Sequence, residues 1–505
     1  MRDLVQRLSV RDGVWCAPLW LRTALVVAAL GMFAVRFADR DLLPFILDEA
    51  RFQEVASIHA RDRTWPSISP LVGNLGIAYG PGPVWFYTAV HRLVGPLPER
   101  SILAVTVFLS LAQLALAAAL ARMLRGGAVL FATLAALLAA SPFLFFWSRL
   151  AWEVFAGYTA LAVALLTGDR QLSLGKGALL GALLGLDLTS HPMTVPLVLA
   201  VLLVLGREAL LRPAGRRGLL ALLAVAALVN VPYLLALQHQ ARPLAVPETA
   251  RRLTGTLGLL APELLEPARV LTTAGVEYFF DEAWGDFRAW LGGARSLLDL
   301  GPGVAVVLLF LAAAGLVWAA LRGGTGARRV ARIGLLLWAG HAVLLAWLAL
   351  PVHPHYQMAT FWLVPAGIGV AAMALLPSHP RLSRTLVAAM WVVALAQVAF
   401  DQAWMGWIRA RGGTAGIHYS VPLAAQRDVL RAACATDRPG IAFANRTRLF
   451  PPSLLAVAAT EPACAGKRVG VCPGRCPSLS PETWDVLPLR YAAPPGGRLE
   501  AVRRE

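Results

Sequence analysis

The chain has 505 residues, of which 58% are hydrophobic and only 15% charged, with a mean hydropathy of +0.63. Soluble chains carry about a quarter charged residues, and here the apolar residues fall in blocks of about 16 to 22, enough to cross roughly 30 Å of hydrocarbon as helix; a soluble globular protein is excluded and a polytopic membrane protein expected. The net charge of +17, from 46 basic and 29 acidic residues, is scattered between these blocks and not gathered into a stripe, which argues against nucleic acid as a partner.

Arg2, Arg7 and Arg11 precede a first span at 19–37, which is flanked by Arg22 and Arg36 and lacks a small-residue cleavage site. It reads as a retained span with a cytoplasmic N-terminus. The first external loop, 39–97, is the longest polar stretch of the first half and carries Asp48, Glu49, Arg51 and Glu54 before a Tyr79-Gly80-Pro81-Gly82-Pro83 turn. Acids cost several kcal/mol in hydrocarbon, so this stretch belongs in water or a wet cavity at the membrane face. The segment 82–97 is short, with Trp85, Phe86, Ala89, Val90, Leu93 and Val94 on one side and Thr88, His91 and Arg92 on the other. That pattern predicts an amphipathic juxtamembrane helix and not a span.

With that helix left out, further spans fall near 102–121, 127–146, 152–168, 177–190, 193–206, 218–237, 302–321, 333–350, 356–376 and 385–402. Every short basic linker then lands inside, including Arg122 and Arg125, Arg207 to Arg217, Arg322 to Arg332, and Arg381 with Arg384. An extra early crossing would move them all outside, so the positive-inside rule selects about 11 transmembrane helices, N-in and C-out. The fold class is therefore an all-α polytopic membrane protein, residues 1–402, with a second long external loop at 238–301. Residues 403–505 read as a small extracytoplasmic α/β or α+β domain, in which PGIAFAN and KRVGVC suit strands. Cys434, Cys464, Cys472 and Cys476 lie there, an even number on the exported side that predicts two disulfides with three pairings open. A zinc site at Cys472 and Cys476 is the rival reading, though no CxxC pair or nearby histidine accompanies it.

The polar residues with chemical potential all sit at outward turns. Asp48, beside Arg51, suits a general base if partly buried; the competing reading is that Asp48 or Glu49 caps the helix that follows. Arg149 and Glu153 lie four apart, as an ordinary ion pair would, or with the arginine gripping a phosphate oxygen. His191 ends an outward-running span, and His353, His355 and Tyr356 form a denser group at another turn. The histidines suit hydrogen bonds to a phosphate or sugar better than a metal site. No phosphate-cradling Gly-rich loop, Ser-His-Asp arrangement or dinucleotide fingerprint occurs, so an energised donor would come from the membrane.

In these residues the chain resembles the polytopic glycosyltransferases of the GT-C superfamily that use polyprenyl-phosphate sugars, the group of protein O-mannosyltransferases (glycosyltransferase family 39) and the aminoarabinose transferases of lipid A. The resemblance rests on the external Asp48-Glu49 with Phe52, on Tyr79 to Pro83 followed by Trp85, Phe86 and Tyr87 and ending at Gly95, on Arg149 to Trp152, on Gly185 with His191, and on His355-Tyr356. It covers roughly residues 15 to 400. It implies Asp48 as catalytic base with Glu49 its acidic neighbour, and Arg149, His355 and Tyr356 as contacts of the donor phosphate; Arg51, Tyr79, Arg92, Glu153, His191 and His353 are the further candidate substrate contacts. One departure is Tyr79-Gly80, where many members have Lys or His before a Pro-Pro; the missing cation would be supplied by Arg92 or His91.

The expected activity is transfer of a sugar from a polyprenyl-phosphate sugar donor to a lipid, glycan or protein acceptor at the outer face of a bacterial inner membrane. Membrane lipids are the remaining expected partners; no cofactor is demanded, and a divalent cation stays open. A transporter would place acids inside its spans, where Asp187 is the chief exception here. A non-catalytic envelope assembly protein would tolerate loss of Asp48.

Overall fold

A computed structural model describes residues 17–45, 47–71, 78–152, 154–168, 172–211, 215–238, 264–280, 283–348, 354–413, 421–437, 439–443, 450–472, 485–492 and 498–501. The apolar blocks are helices, and the protein is a polytopic membrane protein. Helix α1 is Leu19–Val35, followed by α2 (Leu47–Arg61), α3 (Gly82–Val94), α4 (Pro98–Met123), α5 (Gly127–Ala140), the short α6 (Pro142–Trp147), α7 (Phe155–Leu166), α8 (Leu174–Ser190), α9 (Val195–Leu211) and α10 (Arg216–Gln238). A run of short helices between 277 and 299 leads into α11 (Gly301–Arg322), α12 (Thr325–Leu348), α13 (Leu363–Leu375) and α14 (Pro380–Arg411). Among the described residues, six helices are long and apolar enough to cross a membrane, namely α4, α9, α10, α11, α12 and α14, and α1, α5, α7 and α13 are shorter apolar helices.

Two features of the packing position the site. First, Gly177, Gly181 and Gly185 repeat every fourth residue along α8 and bring its backbone against α10: a Cβ at Gly177 would lie 2.0 Å from the Gly218 carbonyl oxygen, and one at Gly181 2.4 Å from that of Leu222. Small residues at this spacing let membrane helices approach closely where lipid provides no hydrophobic drive. Second, α3 turns Thr88 and His91 inward, where both are buried, whereas Arg92, Leu93 and Val94 at its end are exposed.

The tail adds α15 (Leu423–Ala433), α16 (Phe450–Ala458) and four strands, β1 (Pro439–Phe443), β2 (Gly470–Cys472), β3 (Asp485–Ala492) and β4 (Arg498–Ala501). The sheet order is β2-β1-β3-β4, with β1 parallel to both neighbours and β4 antiparallel to β3. A disulfide joins Cys434 to Cys464 across the sequence between α15 and β2. The side chain of Cys472 and the whole of Cys476 lie outside the described residues.

The tail is docked on the first loop. Leu423 donates its backbone N–H to the Leu43 carbonyl at 2.8 Å, and Gln426 donates from Nε2 to the Phe45 carbonyl at 2.7 Å. Arg427 bridges Glu99 at the start of α4 (Nη2 to Oε2, 2.8 Å) and Glu461 (Nη1 to Oε2, 3.0 Å). The segment leading into Asp48 is thus gripped from the tail side.

Candidate active site

Asp48 stands in the first turn of α2, half-buried, with Glu49 buried beside it. Burial pushes the Asp48 carboxyl above the usual carboxylate range, and the charge of Arg51 works against that rise. Arg51 itself is exposed. One turn on, Phe52 is fully buried and packs on Tyr87 of α3, ring centroids 6.1 Å apart. The Tyr87 hydroxyl donates to the Trp152 carbonyl, which ties the Asp48 helix to the turn between α6 and α7.

That turn opens onto a cluster of rings. Trp152 lies 5.6 Å from His355, and Trp147 stacks on His355 at 6.2 Å. His355 abuts Tyr356 at 4.3 Å; His191 lies 5.7 Å from Tyr356, 6.4 Å from His355 and 5.1 Å from both Tyr79 and Phe155. Tyr79, His191, His355 and Tyr356, more than 270 positions apart at the extremes, therefore share one site at the ends of α3, α8 and α12. His191 follows α8, and its Nδ1 accepts from the Met193 backbone N–H at 3.1 Å, capping the short 3-10 turn Pro192–Thr194. Burial, with His341 nearby, holds His191 down to about 3, which favours the neutral imidazole.

The glycines of the Tyr79 to Pro83 turn explain how this segment reaches α8. A Cβ on Gly80 would lie 2.3 Å from the Thr189 carbonyl oxygen, and one on Gly82 would lie 2.4 Å from Ser190 Oγ. Only residues without a side chain allow Tyr79 this close to His191.

The remaining predicted contacts lie elsewhere or are engaged. Arg149 is fully buried and donates from Nη1 to the carbonyls of Arg36 (3.0 Å) and Ala38 (2.6 Å), and from Nη2 to that of Asp39 (2.7 Å). It thereby ties down the segment that follows α1, whose own last carbonyls, those of Phe33, Ala34 and Val35, accept from the backbone N–H groups of residues 36 to 38. Arg92 is exposed, stacks over Trp65 at 4.3 Å and donates to the Thr64 carbonyl at 2.6 Å. His91 bonds Gln53 Oε1 through Nε2 at 2.6 Å and Ser57 Oγ through Nδ1 at 3.2 Å; burial lowers it to about 4, which makes it neutral and not a phosphate-binding cation. Glu153 and His353 lie outside the described residues. Among the described residues, no three His, Cys, Asp or Glu side chains are grouped as metal ligands would be.

Several members of the site were not singled out from the sequence. Trp147 and Phe155 read as ordinary membrane aromatics, and His341, whose Nδ1 lies 3.3 Å from Gln357 Nε2, is hidden in an apolar helix. Asp187 is one turn before His191 and accepts from the Thr159 hydroxyl at 2.9 Å; its acid inside a span was the available signal.

No protein-family model and no curated protein sequence matches the chain. Solved structures do. ArnT from Cupriavidus metallidurans bound to undecaprenyl phosphate aligns with a TM-score of 0.52 at 14% identity, over 87% of this chain and 85% of that one. The same protein in the apo state aligns with a TM-score of 0.50 at 15% identity, over 87% and 84%. At such identity the likeness is one of fold: this chain has the polytopic membrane architecture of ArnT.

Proposed function

We propose that the protein is a membrane glycosyltransferase that moves a sugar from a polyprenyl-phosphate carrier to a lipid, glycan or protein acceptor on the extracytoplasmic side. The observation that carries this reading is the gathering of Tyr79, His191, His355 and Tyr356 at one site, linked through Tyr87 and Phe52 to the helix bearing Asp48. The shared fold adds support, since the ArnT that aligns was crystallised with undecaprenyl phosphate.

In this reading the Asp48 carboxylate takes the proton of the acceptor hydroxyl or amine as that group bonds to sugar C1. The bond from C1 to the phosphate oxygen breaks, and the lipid phosphate leaves with the electron pair. A half-buried carboxylate with a raised pKa is suited to that task near neutral pH. Tyr79, Tyr356 and the imidazoles of His191 and His355 act as hydrogen-bonding partners of the donor, with Arg51, Glu153 and His353 as further contacts. Arg149 acts by position, holding the carbonyls of residues 36 to 39 at the root of the loop. Glu49 assists as the acidic neighbour, and Arg92 secures the loop after α2. Eleven helices cross the bilayer, N-in, while α2 and α3 lie along its outer face and the tail supports the loop or receives the acceptor.

The test is sugar transfer by the purified full chain in lipid, with radiolabelled polyprenyl-phosphate sugars and envelope acceptors, comparing wild type with Asp48→Asn. Transfer by wild type and loss of turnover with retained donor binding in the variant is the expected result. Equal turnover removes Asp48 from the role of base, and failure of wild type to bind any polyprenyl-phosphate donor ends the glycosyltransferase reading.

A further inference from the structure

At the opposite end of the helices from His191 and His355, α9 and α12 part to form an open groove of about 570 Å³. The path along α9 from Val195 to Arg207 rises about 18 Å, so the groove is separate from the candidate active site. Its rim carries Arg207, Arg328, Arg329 and Arg332 with one acid, Glu208. Arg329 is buried and takes that acid completely: Nη2 lies 2.7 Å from Oε2, Nε lies 3.0 Å from Oε1, and Nη1 donates to the Gly168 carbonyl at 2.7 Å. Arg328 donates to the Gly323 carbonyl at 3.1 Å and has no ion pair; nor do Arg207 and Arg332, among the described residues. Three guanidinium charges therefore converge on the groove without an internal counter-charge.

The apolar lining sits at a second level. Leu203 lies four residues before Arg207 on α9 and Leu336 four residues after Arg332 on α12, each about one turn, or 6 Å, further toward the middle of the helices. Both leucines are exposed, 64% and 43%. Cations at the helix ends over open apolar walls match a molecule with an anionic phosphate head and hydrocarbon chains. A free anion would leave those walls uncovered, and an acidic peptide, though it matches the cations, would bring no hydrocarbon chain to lie along them.

We propose that this groove binds an anionic phospholipid, with its phosphate on Arg207, Arg328 and Arg332 and its acyl chains along Leu203 and Leu336. Basic pockets between helices at one membrane face recognise lipid head groups in this way, each arginine strengthening the attraction severalfold. Arg329 and Glu208 form the neutral wall that fixes the distance between the two helices.

The experiment titrates the delipidated full chain in detergent with dioleoyl-phosphatidylglycerol or dioleoyl-phosphatidylcholine and counts bound lipid by native mass spectrometry. Wild type should bind the anionic lipid about tenfold or more tightly than the zwitterionic one. Arg207→Gln combined with Arg332→Gln should lose that preference, while Arg217→Gln, a basic residue on α10 outside the groove, should keep it. Equal binding of the two lipids by wild type overturns the proposal without any variant. So does an undiminished preference in the double variant, and so does displacement of the phospholipid by millimolar inorganic phosphate, which would assign the groove to a free anion.

Discussion

Arg149 and Arg36 are coupled through the main chain: the Arg149 guanidinium donates to the Arg36 carbonyl at 3.0 Å, while the Arg36 guanidinium donates to Gln113 Oε1 at 2.8 Å and to the Leu138 carbonyl at 2.6 Å. Both arginines are buried, and together they fasten the end of α1 to α4, α5 and the turn before α7. Arg149→Met should leave the carbonyls of residues 36, 38 and 39 without their charged donor. The Asp39 carbonyl still accepts from the Leu42 N–H, but those of Arg36 and Ala38 lose this donor, and a buried acceptor left unsatisfied costs about 1–3 kcal/mol, so a loss of about 2 kcal/mol or more and a clear fall in the thermal midpoint in detergent are expected. Arg149→Lys should recover only part of it, because one ammonium cannot reach three carbonyls in the guanidinium plane. An unchanged midpoint with a weakened donor Kd would instead return Arg149 to the role of phosphate grip.

What the sequence made legible follows from this contrast. Tyr79, His191, His355 and Tyr356 stand out because polar side chains at turns between apolar blocks have few places to go except the membrane face, and helix direction places successive turns on alternate faces. Arg149 stands at such a turn as well, but its acceptors are main-chain carbonyls more than 100 residues away, and a carbonyl leaves no mark in a sequence. The side chains of α3 divide cleanly into two faces by composition, yet which face turns inward depends on whether its neighbour is lipid or protein. His91 turns inward, where Gln53, Ser57 and Ser101 meet the imidazole, while Arg92 beside it turns out. The Trp147 and Trp152 contacts with His355 are invisible beforehand, since aromatic residues are equally at home in any membrane core.

Asp48 offers a second prediction, with opposite signs for activity and stability. Its carboxyl is raised by burial, so the folded protein holds the proton more tightly than the unfolded chain does, and stability falls as pH rises from the model-peptide value of 3.8 through the folded-state value. At neutral pH the charged form is therefore a standing cost. Asp48→Asn removes the charge, and should raise the thermal midpoint at pH 7 relative to wild type while abolishing turnover. The gain should vanish below about pH 4, where wild-type Asp48 is itself neutral. A variant less stable than wild type at pH 7 would contradict the burial argument, whatever its activity.

His91 runs the other way. Its folded-state value of about 4 lies below the unfolded 6.5, so the unfolded chain binds the extra proton first and stability is lost as pH falls from about 6.5 toward 4. The neutral ring joins α3 to Gln53 and Ser57 on α2 and to Ser101 on α4; protonation adds a charge with no carboxylate among these partners. Thermal midpoints measured from pH 7 to pH 4 should fall more steeply for wild type than for His91→Asn, which cannot titrate. Parallel curves would mean that His91 titrates alike in the folded and unfolded chain, as an imidazole in contact with solvent does.

The sharpest steric prediction concerns Gly80. A methyl group there would meet the Thr189 main chain, with the carbonyl oxygen at 2.3 Å and Cα at 2.7 Å, and neither atom can rotate away as a side chain would. Gly80→Ala must therefore push the turn off the end of α8, and overpacking of this kind costs about 1–3 kcal/mol. The displacement acts first on Tyr79, whose ring lies 5.1 Å from His191, so donor binding should weaken along with stability. Gly31 is the matched control: it lies within α1, a Cβ there meets nothing within 4 Å, and alanine in a helix interior is favoured over glycine by up to about 1 kcal/mol. Gly31→Ala should hold or raise the thermal midpoint and leave donor affinity unchanged. If both alanine variants behave alike, the close approach of the Tyr79 turn to α8 is not what builds the site.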